Sequence, residues 1–390
     1  MNLSVYILAI SAFIVGIVEL IIGGILDLIA KDLQISISTA GQLISVFSLA
    51  FAIASPILLN ATAKIERKKL YLWTLLIFLI GNMMAVFTPD YAILMLSRVV
   101  SAASASLLIV LSVTIASSIV KPEYKGRAIG VIYMGISGSL VLGVPIGMML
   151  GNLYGWRAPF VLISFLTIVA MVSISLFLKE IAPNPIVPLR EQVKALRHSK
   201  VFSAQMISVL ILTGHLTLYA YFTPFLQSTL HLNSTMISIM YFVFGIAAVM
   251  GGGMGGWASD KVGTGRAILT IIPLFAVMMI LMPIVTKASF VLFLVIMVMW
   301  SALSWAISPA QQNYLIQTSP ETSDIQLSIN NSACHLGIAS GSAIGGIVIE
   351  QSSIMYNSWV GVLFVLAALV CAVYSITRPS AAAVGNMVHE

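Results

Sequence analysis

Apolar residues run along this chain in stretches of about twenty, the length an α-helix needs to cross a bilayer, separated by short polar or Pro/Gly-rich gaps. In order they cover 3–26, 40–63, 70–88, 91–120, 128–150, 158–178, 201–228, 236–257, 267–286, 290–313, 325–349 and 357–377. The pattern predicts twelve transmembrane helices. A closed β-barrel also satisfies every backbone group in lipid, but its strands alternate in polarity over about ten residues, and these runs do not alternate.

Composition narrows the class. Hydrophobic residues make up 59% of the 390, charged residues 8%, and mean hydropathy is +1.06; an ordinary soluble domain is about 25% charged. The expected fold is an all-α polytopic membrane protein with the lipid bilayer as its surroundings. Met1-Asn2-Leu3-Ser4 brings no positive side chain and the apolar run after it is too long for a signal h-region, which predicts a retained first span. Cys334 and Cys371 lie in apolar spans with no CxxC or His/Cys spacing suited to a metal. No metal, cofactor or catalytic constellation is expected, and no nucleophile–base pair suggests an enzyme.

Charge orients the helices. The net charge is +6, on 19 Lys and Arg. With both termini cytoplasmic, fifteen of the 19 fall in inner gaps, Lys64, Lys121, Lys179 and Lys261 among them. Lys31, Arg157 and Lys287 then fall outside and Arg98 within a span, as the positive-inside rule favours. Topology thus accounts for the basic surplus, and nucleic acid is not an expected partner.

Shifted by 197 positions, the chain overlays itself from the end of the first span to the loop after the second. Leu33 falls on Leu230, Phe47 on Phe244, Ala61 on Ala258 and Lys64 on Lys261. Six spans per half in one orientation describe two bundles related by an axis along the membrane normal. The boundaries expected are a first bundle over 1–180, a linker over 181–200, a second bundle over 201–378 and a tail over 379–390. Pro183, Pro185 and Pro188 make the linker turn-rich, and 189–197 reads as a basic amphipathic helix on the membrane surface.

Glu19 is the one charged residue in the first apolar run, where a carboxylate costs about 3 kcal/mol. It is a functional-site candidate, with a carboxylate snorkelling to the headgroups as the alternative. Arg98 lies eight residues from Asp90 and Glu19 eight from Asp27, so both sit roughly 12 Å deep from the same side. The pair serves either a changing charge state or a fixed salt bridge.

Gly256-Trp257-Ala258-Ser259-Asp260-Lys261-Val262-Gly263 resembles the GxxxD(R/K)xG loop of the major facilitator superfamily. In the first half the matching stretch carries Ala63 at the Asp position and Glu66 at the Gly position. Leu94-Met95-Leu96-Ser97-Arg98 is similar to the second motif of its drug and metabolite proton antiporters. Gly130, Gly135, Gly138, Gly143, Val144, Pro145 and Gly147 are similar to their glycine-rich fifth-span motif, although small residues packed closely would explain that stretch alone. Gly337, Gly341, Gly345 and Gly346 repeat it in span eleven. Val18-Glu19-Leu20, Ala40-Gly41-Gln42-Leu43, Gly214-His215, Tyr219-Ala220-Tyr221-Phe222 and Pro309-Ala310-Gln311-Gln312 look like the bacterial purine efflux branch, with Asp27 where a proline is expected.

The resemblance implies two pseudo-symmetric six-helix bundles in a bacterial inner membrane, a monomer, and proton-coupled efflux of a small molecule by alternating access. Purine bases or nucleosides come first as substrate; a multidrug or sugar exporter is the alternative. Glu19 and Arg98 would couple protons. Asp260, Lys261, Gly256, Gly263, Gly143 and Pro145 would gate. The implied substrate site lies near mid-membrane, where His215, Tyr219, Trp300, Trp305, Gln311, Asn330, Asn331 and His335 supply flat stacking faces and amide or imidazole groups for a purine's edges.

Overall fold

The computed structural model describes residues 3–121, 124–183, 196 and 198–378. The expected amphipathic helix over 189–197, apart from Leu196, and the tail from 379 lie outside them. The described chain forms α1 (Leu3–Gly24), α2 (Leu26–Asp32), α3 (Ile37–Ala61), α4 (Arg67–Phe87), α5 (Tyr91–Ser118), α6 (Lys125–Gly138), α7 (Val144–Tyr154) and α8 (Ala158–Phe177). There follow α9 (Ser199–Tyr219), α10 (Phe222–Leu230), α11 (Ser234–Val262), α12 (Thr264–Val285), α13 (Phe290–Thr318), α14 (Ser323–Gln351) and α15 (Tyr356–Thr377). Among the described residues there is no strand. Twelve stretches of the described residues are long and apolar enough to cross a membrane, α6 and α7 together making the fifth.

Two of the spans that begin earlier than hydropathy predicts, the second and the third, are capped by polar side chains. The Ser36 Oγ accepts the Thr39 N–H at 3.0 Å at the start of α3, and Glu66 Oε1 accepts the Lys68 N–H at 2.8 Å at the start of α4. Such caps satisfy amides that the first helical turn leaves open.

The described residues cluster into two units. The first holds residues up to 183 with Phe222–Pro224 and Leu232–Gly245; the second holds the rest. Inside each, a glycine row brings two helices to backbone contact. In the first unit, a Cβ at Gly135, Gly143 or Gly147 would run into the Ala9 carbonyl, Ile17 or Ile21, so α6 and α7 lie directly on α1. In the second, one at Gly337, Gly341 or Gly345 would meet the carbonyl of Val209, Thr213 or Thr217, so α14 lies directly on α9. Without a hydrophobic force between helices in lipid, such close dispersion packing is what holds them.

The repeat extends to irregularities of the backbone. The first span breaks at Ile25 (φ −117°, ψ 18°) and the seventh at Tyr221 (φ −117°, ψ 23°). The short arms α2 and α10 are followed by Gln34 (φ 52°) and His231 (φ 51°), which among the described residues are the non-glycine ones with left-handed backbone. The first span therefore bends without the proline expected at position 27, and the helix resumes through Asp27 to Asp32. Asp27 does not mark its outer end.

The fifth span departs from its counterpart. Ser139–Gly143 forms a π-turn in which the Val144 N–H reaches back to the Ser139 carbonyl. Pro145 explains it: the ring clashes with the carbonyl four residues back and offers no N–H, so the helix widens there. α14 runs unbroken from Ser323 to Gln351.

Candidate functional site

In the first unit the expected charged pair comes together. Arg98 on α5 is buried, 1% exposed, and its Nη2 donates to the carbonyl of Val18, next to Glu19, at 3.0 Å. Its charge and that of the half-buried Glu19 act on each other. On α3, Phe47 places its ring centroid 4.2 Å from the guanidinium carbon. Sequence reading missed Phe47 as a partner, although the repeat marks it. A cation held by a ring face and a helix carbonyl still has a favourable site when the nearby carboxylate is neutral.

The second-unit candidates divide into two layers. His215 and Tyr219 on α9 stack, centroids 5.2 Å apart and planes 15° apart. Trp300 on α13 stands 5.0 Å from His215 and 6.3 Å from Tyr219. Phe275 on α12, unforeseen, completes the group 5.9 Å from His215. All four rings are buried.

Nearer the start of α9 lies a layer of amides. Gln205 Nε2 donates to the Gln326 carbonyl at 3.0 Å and to its Oε1 at 3.1 Å. Asn330 Nδ2 donates to Gln205 Oε1 at 3.0 Å and to Ser208 Oγ at 2.6 Å. Gln311 Nε2 donates to the Ala204 carbonyl at 2.5 Å, while its Oε1 is buried without a hydrogen bond. Gln205 and Gln326 were missed; a glutamine near the polar end of a span looks like interface decoration until its neighbours are known. Ten positions separate Gln205 from His215, roughly 15 Å of helix rise. The ring layer and the amide layer are therefore separate along the helix.

His335 is buried on α14, five residues past Asn330. Trp305 and Asn331 are half-buried on α13 and α14.

Of the gating candidates, Asp260 and Lys261 are exposed at the end of α11. Gly263 joins α11 to α12 as a single residue at φ 89°, a conformation that suits glycine. Half-buried Gly256 has only Pro309 Cβ near its missing side chain. Gly143 and Pro145 belong to the π-turn.

In the first half the Glu66 carboxylate occupies the place of Gly263. It accepts the N–H groups of Lys68 at 2.8 Å and Lys69 at 2.7 Å as the cap of α4, and that of Ile181 at 2.8 Å. Partial burial pushes its pKa up, but the amides of Ile181, Lys69 and Lys68 and the Lys68 charge together hold it below the usual carboxylate value.

A family profile described as the Major Facilitator Superfamily matches residues 8–341. Among curated proteins, the uncharacterised MFS-type transporter YbcL of Bacillus subtilis (strain 168) is 36% identical over 367 residues, 94% of each chain. A probable sugar efflux transporter of Helicobacter pylori (strain J99 / ATCC 700824) is 25% identical over 372 residues, 94% of this chain and 93% of its own. Among solved structures, a D-xylose-proton symporter superposes with a TM-score of 0.79 at 15% identity, over 96% of this chain and 97% of that one, a likeness of fold alone.

Proposed function

The chain belongs to the Major Facilitator Superfamily, and from that premise we propose that this membrane transporter exports small, flat, mostly uncharged metabolites, purine bases and nucleosides first, in exchange for protons. The observation that carries the reading is Glu19 inside the first span, close to the charge of Arg98. Protonation of Glu19 from one side and its release on the other change the charge balance around Arg98, and with it which conformation is favoured. Both termini lie in the cytoplasm, the monomer is the working unit, and the halves divide at the linker over 181–200. Asp260 and Lys261 latch one conformation through the loop that Gly256 and Gly263 shape, and the π-turn with Gly143 and Pro145 gives the fifth span its bend.

Substrate recognition falls to the second half. His215, Tyr219 and Trp300 offer ring faces, Gln311 and Asn330 offer amides, and Trp305, Asn331 and His335 line the same two helices. The test is uptake of radiolabelled hypoxanthine into inverted vesicles with and without a proton gradient. Glu19→Gln should lower gradient-driven uptake to the level of empty vesicles while the protein still folds. Unimpaired gradient-driven uptake in that variant would overturn the role given to Glu19.

The resemblance to a probable sugar efflux transporter favours a second reading in which the substrate is a sugar. A resistance panel of toxic purine analogues against sugars, scored on overexpression, separates the two.

A further inference from the structure

A hollow of about 500 Å³ lies between α7, with the π-turn before it, and the first part of α11, every lining residue belonging to the first unit. That volume falls within the roughly 300–1,000 Å³ typical of ligand pockets. Its walls are apolar and face outward: Ile146 is 45% exposed, Met149 55%, Ile239 44% and Phe242 39%. The polar lining is concentrated at one end, where Asn152 and Ser234 mark the last turn of α7 and the start of α11.

The other end is closed. A Cβ on Gly245 would stand 2.8 Å from Val141 Cα and 2.9 Å from the Leu140 carbonyl oxygen, so the two backbones touch there. From Ser234 to Gly245 is eleven residues, a rise of roughly 16 Å, and half the hydrocarbon thickness of a bilayer is about 15 Å. The groove thus runs from a polar rim at a helix end to a blind floor at the depth where one leaflet meets the other.

We propose that this groove is a binding site for one acyl chain of a phospholipid from that leaflet, held by its hydrocarbon tail with the ester region at the Asn152 and Ser234 rim. A dry hollow would leave its apolar walls without contacts on one side. Water would find polar partners mainly at the rim, too few to fill it. An acyl chain is the filler a membrane supplies at that depth. The hollow carries no charged lining residue, so the headgroup's charge does not select the lipid. The bound chain packs on Pro145 and the π-turn, and supports the bend of the fifth span from its lipid side.

The experiment is photolabelling of the full-length protein in nanodiscs with a phosphatidylcholine carrying a diazirine in mid-chain, mapped by mass spectrometry. Label should appear at Met149 and Ile239, saturate, and be displaced equally by excess phosphatidylglycerol and phosphatidylethanolamine. Ile239→Trp and Ser238→Phe, which fill the groove, should remove the saturable part while leaving the non-saturating label at lipid-facing Val172 unchanged. Each variant's thermal transition verifies folding, and either folded variant suffices for the test. Label at Met149 that never saturates, as at Val172, would mean ordinary boundary lipid and overturn the site. Displacement by a transported substrate but not by excess phospholipid would overturn it in favour of a substrate portal.

Discussion

Glu19 and His215 hold corresponding places in the two halves. Each lies six residues ahead of a break in its helix, at Ile25 and at Tyr221, and the two breaks share nearly identical dihedral angles. Each meets a large side chain from the fourth span of its half, Arg98 in one and Trp300 in the other. One backbone frame thus carries a charged pair in the first unit and a stacked aromatic group in the second. The 197-residue shift sets Leu216 opposite Glu19, and the helix breaks correct this by one position. The arms then differ by one residue, nine steps from Ile25 to Gln34 and ten from Tyr221 to His231, which restores the shift of 197. A duplicated scaffold keeps its kinks, and its side chains diverge.

If the scaffold is the shared part, breaking it should be equally costly in either half. Gly341→Leu forces a side chain into the Thr213 carbonyl and Leu216, and Gly135→Leu does the same at the Ala9 carbonyl. Overpacking costs roughly 1–3 kcal/mol or more where backbone must move, the largest stability loss expected of the substitutions considered. Gly130→Leu is the control: nothing lies within 4 Å of its missing Cβ. That change should be neutral, or stabilising by roughly the 1 kcal/mol that glycine costs a helix. Thermal unfolding in detergent orders the three; a benign Gly135→Leu beside a damaging Gly341→Leu would break the symmetry.

Hydropathy made the twelve spans legible because about twenty apolar residues in a row have one stable outcome in lipid. The glycine rows were legible as close packing because small residues recur at helical spacing, and Arg98 as a neighbour of Glu19 because an opposite charge is the cheapest partner in a low-dielectric interior. The depth count from Asp27 did not contribute, since the helix continues past it. The π-turn was not foreseen. Pro145 was visible, but a proline can kink, widen or end a helix, and its neighbours decide which. The amide layer was half visible: Gln311 and Asn330 stand out as polar residues in spans, while Gln205 and Gln326 join the layer through contacts 121 and 125 residues apart in sequence. The division into two layers followed only from the helix register that assembles them.

The loops after the second and eighth spans test the divergence on a smaller scale. The first half caps α4 with the Glu66 carboxylate, and the second half turns at Gly263 with φ 89°. Glu66→Ala should cost about 1 kcal/mol, the usual worth of such a cap, and should also free the chain at Ile181. Because the folded pKa of Glu66 is depressed, its contribution is complete above the unfolded carboxylate pKa of about 4.3 and fades as pH falls through the lower folded value. Glu66→Gln should therefore flatten the acid limb of the stability profile. An unchanged limb would show that the three amides do not depend on the charge.

The smallest effect is expected at Asp32, which carries an exposed ion pair in the first half. Its Oδ2 accepts Arg157 Nη1 at 2.7 Å and Trp156 Nε1 at 2.8 Å, and Arg157 Nη2 also reaches the Thr88 carbonyl at 3.1 Å. The hydrogen bonds from Trp156 and Arg157 hold the Asp32 pKa below its usual value. By the 197 shift its counterpart is Thr229, whose hydroxyl donates to its own helix at Phe225. Both partners of the ion pair are substantially exposed, 35% for Arg157 and 49% for Asp32, so the pair should be worth no more than about 1 kcal/mol and be screened by salt. Asp32→Asn keeps an acceptor for the Trp156 N–H and removes only the charge. Its cost should vanish in high salt, and in acid as pH drops through the depressed folded pKa. A larger, salt-independent loss would mean that Asp32 holds α2 in place chiefly through Trp156, making this clamp part of the scaffold that the second half builds without charge.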